Sequence, residues 1–436
     1  MRRIRAGSRL TRIVFTAKVV CLLVLMASRA WPQQAPSFKS RVDLVPIVAR
    51  VLDDRGRPIR GLTAADFSIT EDGVPQEIAQ FSVIDRDAPS SSSSDPTLAP
   101  AESAPRVFAI VLGRGRLSGP AKGLQAVLDF IEARAVATDQ FVVVAFNRAT
   151  ELGLHRDKVL EVLRRYQSEY ERVEALLAHW FSGLTNLLGD RDPPANIQER
   201  IDKALAVPGV RVRSLDAVPP PGGPTLQYRY RELLKALGRS GEGNISQDLV
   251  YSAAARHDIE RLHATVEYLR PLDGEKHILY LTPEGMVGMS SPLERNLAEL
   301  AADARVTVSP IHTGGISTSW AAGDRPPIVI FEGPSWHERQ ANLGSRAIAL
   351  HTGGVVSIYD YAATAIAKID QATRYEYVLG YYSATPRSET YRRIEVKVTT
   401  RGATVLHRKG YYARLGEAAY DHRSHLTRTL SMCCSS

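Results

Sequence analysis

The sequence predicts an α/β fold in which a mostly parallel sheet carries helices on both faces, together with a smaller module of β-strands. Two observations lead to this prediction. The centre of the chain alternates short, unbroken apolar runs with segments of helical spacing, and such runs are typical of strands covered on both faces. The regions on either side show the alternation of apolar and polar residues that half-buried strands require. The chain has 436 residues, the length of two or three domains.

Residues 1–30 have the pattern of a secretory signal peptide. They contain seven basic residues and no acidic one, and the apolar run VVCLLVLMA is followed by small residues at Ser28 and Ala30, where cleavage would occur. The run is short for a membrane span, and no later segment is apolar enough to be one. We therefore expect an exported protein, periplasmic or secreted, with no transmembrane span after the signal. The alternative is an uncleaved segment that anchors the N-terminus in a membrane.

The net charge and the positions of the cysteines limit the kinds of protein that this chain can be. The chain carries a formal net charge of +8, and the seven basic residues of the signal account for all but one of these charges. A basic surface for nucleic acid therefore has little support, and we expect no nucleic-acid partner. The three cysteines lie in the signal and at the C-terminal end, so the body of the protein must be stabilised by its core and not by disulfides.

The elements before the central sheet form a β module and a linker. Residues 38–85 predict the module, with the strand VDLVPIVARVLD, a turn rich in Gly, Pro and Asp, and two further strands joined by the turn Glu71–Gly73. Residues 86–105 are rich in Ser, Pro and Ala. Because such a composition cannot bury an apolar face, it predicts a linker.

The pattern of residues 106–371 is that of alternating parallel strands and helices. Its strands are predicted at the apolar runs VFAIVL, FVVVAF, KHILYLT and ARVTVSPIHT. A long helical insertion, at about 157–274, separates the second of these strands from the third, and we interpret its apolar stripe as core packing. Residues 375–413 predict three closing strands. Residues 414–436 lack periodicity and predict a mobile tail.

Local signatures of catalysis are missing from the sequence. There is no HExxH zinc motif, no GxSxG nucleophile elbow and no GxxxxGK[ST] phosphate loop. These local patterns therefore assemble no nucleophile with an orienting base, and we expect a protein that is not an enzyme.

A glycine-rich loop, GRGRLSG, follows the first parallel strand and precedes a helix. It fits a relaxed GxGxxxG pattern, so one alternative is a nicotinamide-dependent oxidoreductase, with the dinucleotide at this loop and its 2′-phosphate against Arg148. Two features oppose this alternative. Pro120 follows the loop immediately, and the acidic residue expected at the end of the second strand is absent.

Taken together, the motifs resemble those of a known family. RPIRGLTAADFSITEDG near the start, and YEYVLGYYS and HRKGYYA near the end, are similar to the opening and closing motifs of the acidobacterial VWFA-related domain proteins. The resemblance covers about Val42 to Ala413 and is poor in the long insertion. It implies a Rossmann-like von Willebrand type A domain. We expect the N- and C-terminal strands to form one β-sandwich-like module around it, because each segment alone is too small to hold a core.

The resemblance also implies a metal loop, which this chain does not complete. In type A domains the loop after the first strand binds Mg²⁺ or Mn²⁺ through Asp-x-Ser-x-Ser. Here the Asp position falls on Gly113, and the two Ser positions fall on Gly115 and Leu117. None of these residues offers a side-chain oxygen, and hard cations need oxygen ligands. We therefore expect no metal cofactor.

Three weaker metal candidates keep an alternative open. Ser118 is one residue out of register with the motif, Thr225 resembles the Thr of a second metal loop, and Glu284 occupies the acidic place of a third loop. The alternative is an adhesion protein that binds Mg²⁺ or Mn²⁺ at this residual site, although three single ligands without the central Asp make a poor octahedral site.

The charges of the loop predict the chemistry of the partner. Arg114 and Arg116 place two cations where a metal ion would lie, which favours an anionic protein partner. Ligands of open α/β sheets bind at the carboxyl ends of the strands, so we expect the binding face there. Its candidate residues are Gly113, Arg114, Gly115, Arg116, Ser118, Thr225 and Glu284.

Overall fold

The computed structural model describes the greater part of the chain between residues 44 and 413. The described residues are 44–87, 105–113, 123–181, 195–215, 259, 261–272, 274–282, 291–312, 336–357, 361–383 and 390–413. All of them belong to one compact unit, Asp43–Ser436. The predicted signal peptide, most of the predicted linker and the predicted C-terminal tail lie outside the described residues.

The N-terminal β segment contains the strands β1 (Leu44–Leu52), β2 (Phe67–Glu71), β3 (Val74–Gln76) and β4 (Ile78–Asp85). The predicted turn between β2 and β3 is confirmed. Asp72 and Gly73 have φ angles of 48° and 85°, the left-handed conformations that a two-residue hairpin turn requires. The sequence predicts a single strand after this turn, which is wrong. The structure has two strands there, because β3 and β4 belong to different sheets.

The predicted parallel strands are present as β5 (Val107–Leu112), β6 (Gln140–Ala145), β9 (Lys276–Thr282) and β10 (Val306–His312). They lie in the order β10-β9-β5-β6, and all three pairings are parallel. Two short antiparallel strands, β7 (Arg148–Thr150) and β8 (Val212–Ser214), extend the sheet beyond β6. The result is a mixed, mostly parallel sheet of six strands.

Helices cover both faces of this sheet. The described ones are α1 (Gly123–Ala133), α2 (Arg156–Phe181), α3 (Ala195–Leu205), α4 (residues 261–269), α5 (Ser291–Asp303), α6 (Trp336–Thr352) and α7 (Ala362–Arg374). Along β5, Phe108 and Ile110 belong to an apolar core with α1, α2, α3 and α7. The alternate residues, Val107 and Ala109, belong to a second core with α4, α5 and α6.

The long insertion is built into both of these cores. Its helices α2 and α3 contribute Leu163 and Ile201 to the first core, and α4 contributes Leu262 and Val266 to the second. The interpretation of the insertion's apolar stripe as core packing is confirmed at those of its residues whose side chains are described, which are Leu160, Leu163 and Val173. The described part of the insertion is therefore part of the packed α/β domain that surrounds the parallel sheet.

The C-terminal segment contains β11 (Tyr375–Tyr382), β12 (Tyr391–Val398), β13 (Thr404–Leu406) and β14 (Gly410–Tyr412). Together with the N-terminal strands, they form two four-stranded antiparallel sheets, in the orders β13-β1-β11-β4 and β14-β12-β2-β3. One apolar core unites the two sheets, and it includes Ile47, Phe67, Tyr377 and Ile394. Each sheet thus contains strands from both ends of the chain. We call this part of the molecule the β unit.

The last of the three closing strands that the sequence predicts is two strands in the structure. β13 pairs with β1, whereas β14 pairs with β12 in the other sheet. The intervening residues cross from one sheet to the other, and His407 among them is buried. The apolar alternation of this segment does not reveal the change of partner.

Candidate binding site at the carboxyl edge of the sheet

The carboxyl ends of the parallel strands lie side by side at one edge of the sheet. Leu112 at the end of β5 is in register with Ala145 of β6 and with Leu281 of β9. Thr282, the last residue of β9, is in register with His312, the last residue of β10. Ligands of open α/β sheets bind beyond this edge. The edge is therefore the candidate binding site.

Of the seven predicted site residues, the structure describes Gly113. It follows β5 directly at this edge, and its N–H donates a hydrogen bond of 2.7 Å to the carbonyl oxygen of Leu281. The other six predicted residues lie outside the described residues, and their roles stay predictions. They are Arg114, Gly115, Arg116, Ser118, Thr225 and Glu284.

Gly113 occupies a position that has no room for a side chain. A Cβ atom built on it would lie 2.3 Å from the carbonyl oxygen of Leu281 and 3.2 Å from the Cα atom of Thr282. Both atoms belong to the backbone of β9, so they cannot rotate away as a flexible side chain would. An Asp at this position would have to push β5 and β9 apart. The resembled metal loop has an Asp at this position. In this chain, the close contact with the backbone of β9 gives a local steric reason for a glycine.

A buried arginine lies at the same edge. Arg261 is 5% exposed, and its Nη1 donates a hydrogen bond of 2.8 Å to the carbonyl oxygen of Leu112. The guanidinium carbon is 5.5 Å from the ring centroid of Phe146, which follows β6. No described residue accepts a hydrogen bond from Nε of Arg261, and none of the described carboxylates forms an ion pair with it.

The helix α4 fixes Arg261 at this edge through its packing. Leu262, Val266 and Leu269 of α4 are fully buried against the face of the sheet that Val111 and Val144 line. This docking places Arg261 at the ends of β5 and β6. The helix belongs to the insertion, far in sequence from β5. The apolar spacing of Leu262, Val266 and Leu269 predicts the docking face, but nothing in the sequence distinguishes Arg261 from other arginines.

The edge is an unfavourable place for a metal ion as far as the structure describes it. A divalent cation at the end of β5 would lie near the buried guanidinium of Arg261, and like charges repel strongly where water is largely excluded. Among the described residues, no group of three or more His, Cys, Asp or Glu side chains is arranged to hold a metal ion. The weak candidates Ser118, Thr225 and Glu284 lie outside that part of the chain.

The arginine that the oxidoreductase alternative requires is already engaged within the protein. Arg148 donates hydrogen bonds to Asp202 at 2.7 Å and to Gln198 at 2.8 Å, both on α3. It also contacts Asn147 and Ser214. A 2′-phosphate would have to displace an ion pair and its neighbouring amide contact. The structure therefore gives Arg148 a role in holding α3 against β7.

In the part of the chain that the structure describes, no helix has the length and apolar character needed to cross a membrane; the apolar run of the predicted signal lies outside it. Comparisons of the chain with protein-family models, with curated proteins and with solved structures found no match.

Proposed function

We propose that this chain is an exported, non-enzymatic interaction protein that binds an anionic protein partner at the carboxyl edge of a von Willebrand type A-like domain, without a bound metal ion. The observation that carries the proposal is the buried guanidinium of Arg261 beside Gly113. In the resembled domains, a metal ion receives the partner's carboxylate at this edge. Here the guanidinium of Arg261 takes the place of the metal ion. Its Nε–H group has no acceptor among the described residues.

The chemistry of arginine suits this role. A guanidinium presents five N–H donors in a planar fork that matches a carboxylate, and it stays charged at any physiological pH. Charge-assisted hydrogen bonds of this kind are stronger than those between neutral groups. Leu112 accepts from one donor of Arg261 and holds the fork in place. The sequence places two more basic residues, Arg114 and Arg116, directly after Gly113.

The first test is a calorimetric titration of the chelator-treated full chain with Mg²⁺ and Mn²⁺. We expect no saturable heat, because Gly113 excludes the central ligand and Arg261 repels the ion. A saturable heat in the micromolar to low-millimolar range that Glu284→Ala abolishes would instead establish the metal-dependent adhesion alternative.

The second test measures binding of the full chain to an immobilised poly-L-glutamate peptide, with EDTA present and with poly-L-lysine as the charge control. We expect binding to poly-L-glutamate that EDTA does not affect and that Arg261→Gln weakens by about tenfold, the effect of losing one charged hydrogen-bonding partner. Arg211→Gln serves as the matched control, because its side chain is 75% exposed and it pairs with Glu151 away from the edge. Equal losses in the two variants would contradict the assignment of Arg261.

A further inference from the structure

Two arginines elsewhere in the structure show how a guanidinium of this chain holds a carboxylate side-on. Nε and Nη2 of Arg106 donate to the two oxygens of Asp139 at 2.8 and 2.6 Å. Nε and Nη2 of Arg270 donate to the two oxygens of Glu267, both at 2.7 Å. In each pair, two parallel N–H groups meet two oxygen atoms, which is the bidentate arrangement that arginine favours. Nη1 of each arginine bonds to a different residue.

Arg261 divides its donors in the same way, but no described carboxylate meets its Nε and Nη2. Its Nη1 bonds to the carbonyl oxygen of Leu112 at 2.8 Å. The side chain is buried, and its Nε has no acceptor among the described residues. Nη2 also has no acceptor there but is not completely buried, so a carboxylate can approach from that side. A buried N–H group without an acceptor costs free energy, which a ligand oxygen would recover.

Phe146 supports this guanidinium at the end of β6. The guanidinium carbon of Arg261 lies over the ring of Phe146, 5.5 Å from the ring centroid. Because the N–H groups lie in the plane of the guanidinium, a ring against its face leaves them able to donate. Phe146 itself has a φ angle of 53°, a left-handed conformation that is strained for an aromatic residue. Residues held in such conformations cluster at binding sites.

We propose that Arg261 binds a single carboxylate of the partner side-on, through Nε and Nη2, as Arg106 binds Asp139. This inference rests on the proposed function and specifies the group that is recognised, which is the carboxylate of one Asp or Glu side chain. Two parallel donors match the two oxygens of a carboxylate. The site therefore reads the shape of the anion as well as its charge, and a lysine, which presents a point charge, would not replace Arg261.

The first experiment follows the Nε–H resonance of Arg261 in ¹H–¹⁵N spectra of the full chain, labelled with ¹³C and ¹⁵N, while a short poly-L-glutamate peptide is added. The resonance is assigned through bonds from the backbone of the same residue, so the measurement needs no variant. We expect a saturable downfield shift, because a charged hydrogen bond forms at Nε. The Nε–H resonance of Arg106 is the control and should stay in place, since that group already donates to Asp139.

The second experiment separates the side-on contact from charge alone. Arg261→Lys keeps the positive charge and removes the paired donors, so it should weaken binding to poly-L-glutamate by about tenfold, as much as Arg261→Gln. Arg211→Lys is the matched control and should leave binding unchanged, because its side chain is 75% exposed.

The possible results distinguish this inference from the proposed function. If the peptide binds but the Nε–H resonance of Arg261 does not move, or if Arg261→Lys binds as well as the wild type, the side-on contact is overturned and the proposed function stands. If the wild-type chain does not bind the peptide at all, both are overturned.

Discussion

Gly113 shows at the scale of one residue how packing limits the chemistry of the candidate site. The carbonyl oxygen of Leu281 accepts from its N–H and occupies the space where a Cβ atom would lie. A residue with a side chain therefore costs free energy at this point, whatever that side chain binds.

We predict that Gly113→Ala lowers the free energy of unfolding by about 2 kcal/mol or more, because its Cβ atom would overlap the backbone of β9. Gly402→Ala is the matched control. Gly402 has a φ angle of 78° and open space around its Cα, so its substitution tests the cost of the left-handed backbone alone, about 1 kcal/mol. Urea denaturation of both variants makes the comparison. A loss at Gly113 no larger than that at Gly402 would show that the strands adjust without strain.

At the scale of elements, a buried ion network joins β1, β4 and β11. Glu376 of β11 is fully buried and accepts hydrogen bonds from Arg50 of β1 and from Arg86 just after β4. The two guanidiniums hold the pKa of Glu376 at about 2, in spite of the burial that acts to raise it. No sequence motif around Arg50 or Arg86 indicates that these residues pair with Glu376.

We predict that Glu376→Gln lowers the free energy of unfolding by about 3–5 kcal/mol, because it removes the shared partner of two buried cations. Glu199→Gln is the control, since Glu199 pairs with Lys203 on the exposed face of α3 and its loss should change little. Denaturant unfolding at pH 7 measures both variants. If Glu376→Gln behaves like the surface control, the network does not stabilise the fold.

At the scale of the whole molecule, three buried histidines make stability depend on pH. Burial, and then the neighbouring Lys409, lower the pKa of His407 to about 3. Burial also lowers the pKa of His263 to about 4 and that of His277 well below its ordinary value. In the unfolded chain, these side chains titrate near pH 6.5. Their contribution to stability is therefore present above about pH 6.5 and is lost as the pH falls.

We predict that the free energy of unfolding falls between pH 7 and pH 5. Each histidine contributes up to about 1.4 kcal/mol per pH unit once the unfolded chain alone binds its proton. His407→Gln should flatten this slope by one proton, whatever its effect at pH 7, and urea denaturation at several pH values measures the slope. An unchanged slope in His407→Gln would show that His407 takes up its proton in the folded state as well.

The sequence predicted the layers of the fold more closely than the site. Unbroken runs such as VFAIVL are confirmed as parallel strands, because full burial on both faces leaves a strong and local apolar signal. The sequence did not predict the position of Arg261. That position depends on how α4 docks onto β5, and a single arginine carries no local pattern. The predicted loop residues beyond Gly113 stay predictions, and so does the resemblance to type A domains.

The sequence predicted the long strands of the parallel sheet, most of the helices and the tight turn at Asp72–Gly73, since each depends on neighbours a few residues apart. The tertiary structure alone decided which distant groups meet. Glu71, at the start of that turn, accepts hydrogen bonds from the hydroxyl groups of Tyr381, Ser383 and Tyr411, more than 300 positions later. The same holds for Arg261 at Leu112 and for Arg50 at Glu376. Periodicity records burial along an element, whereas such contacts arise only when the sheets pair and the helices dock.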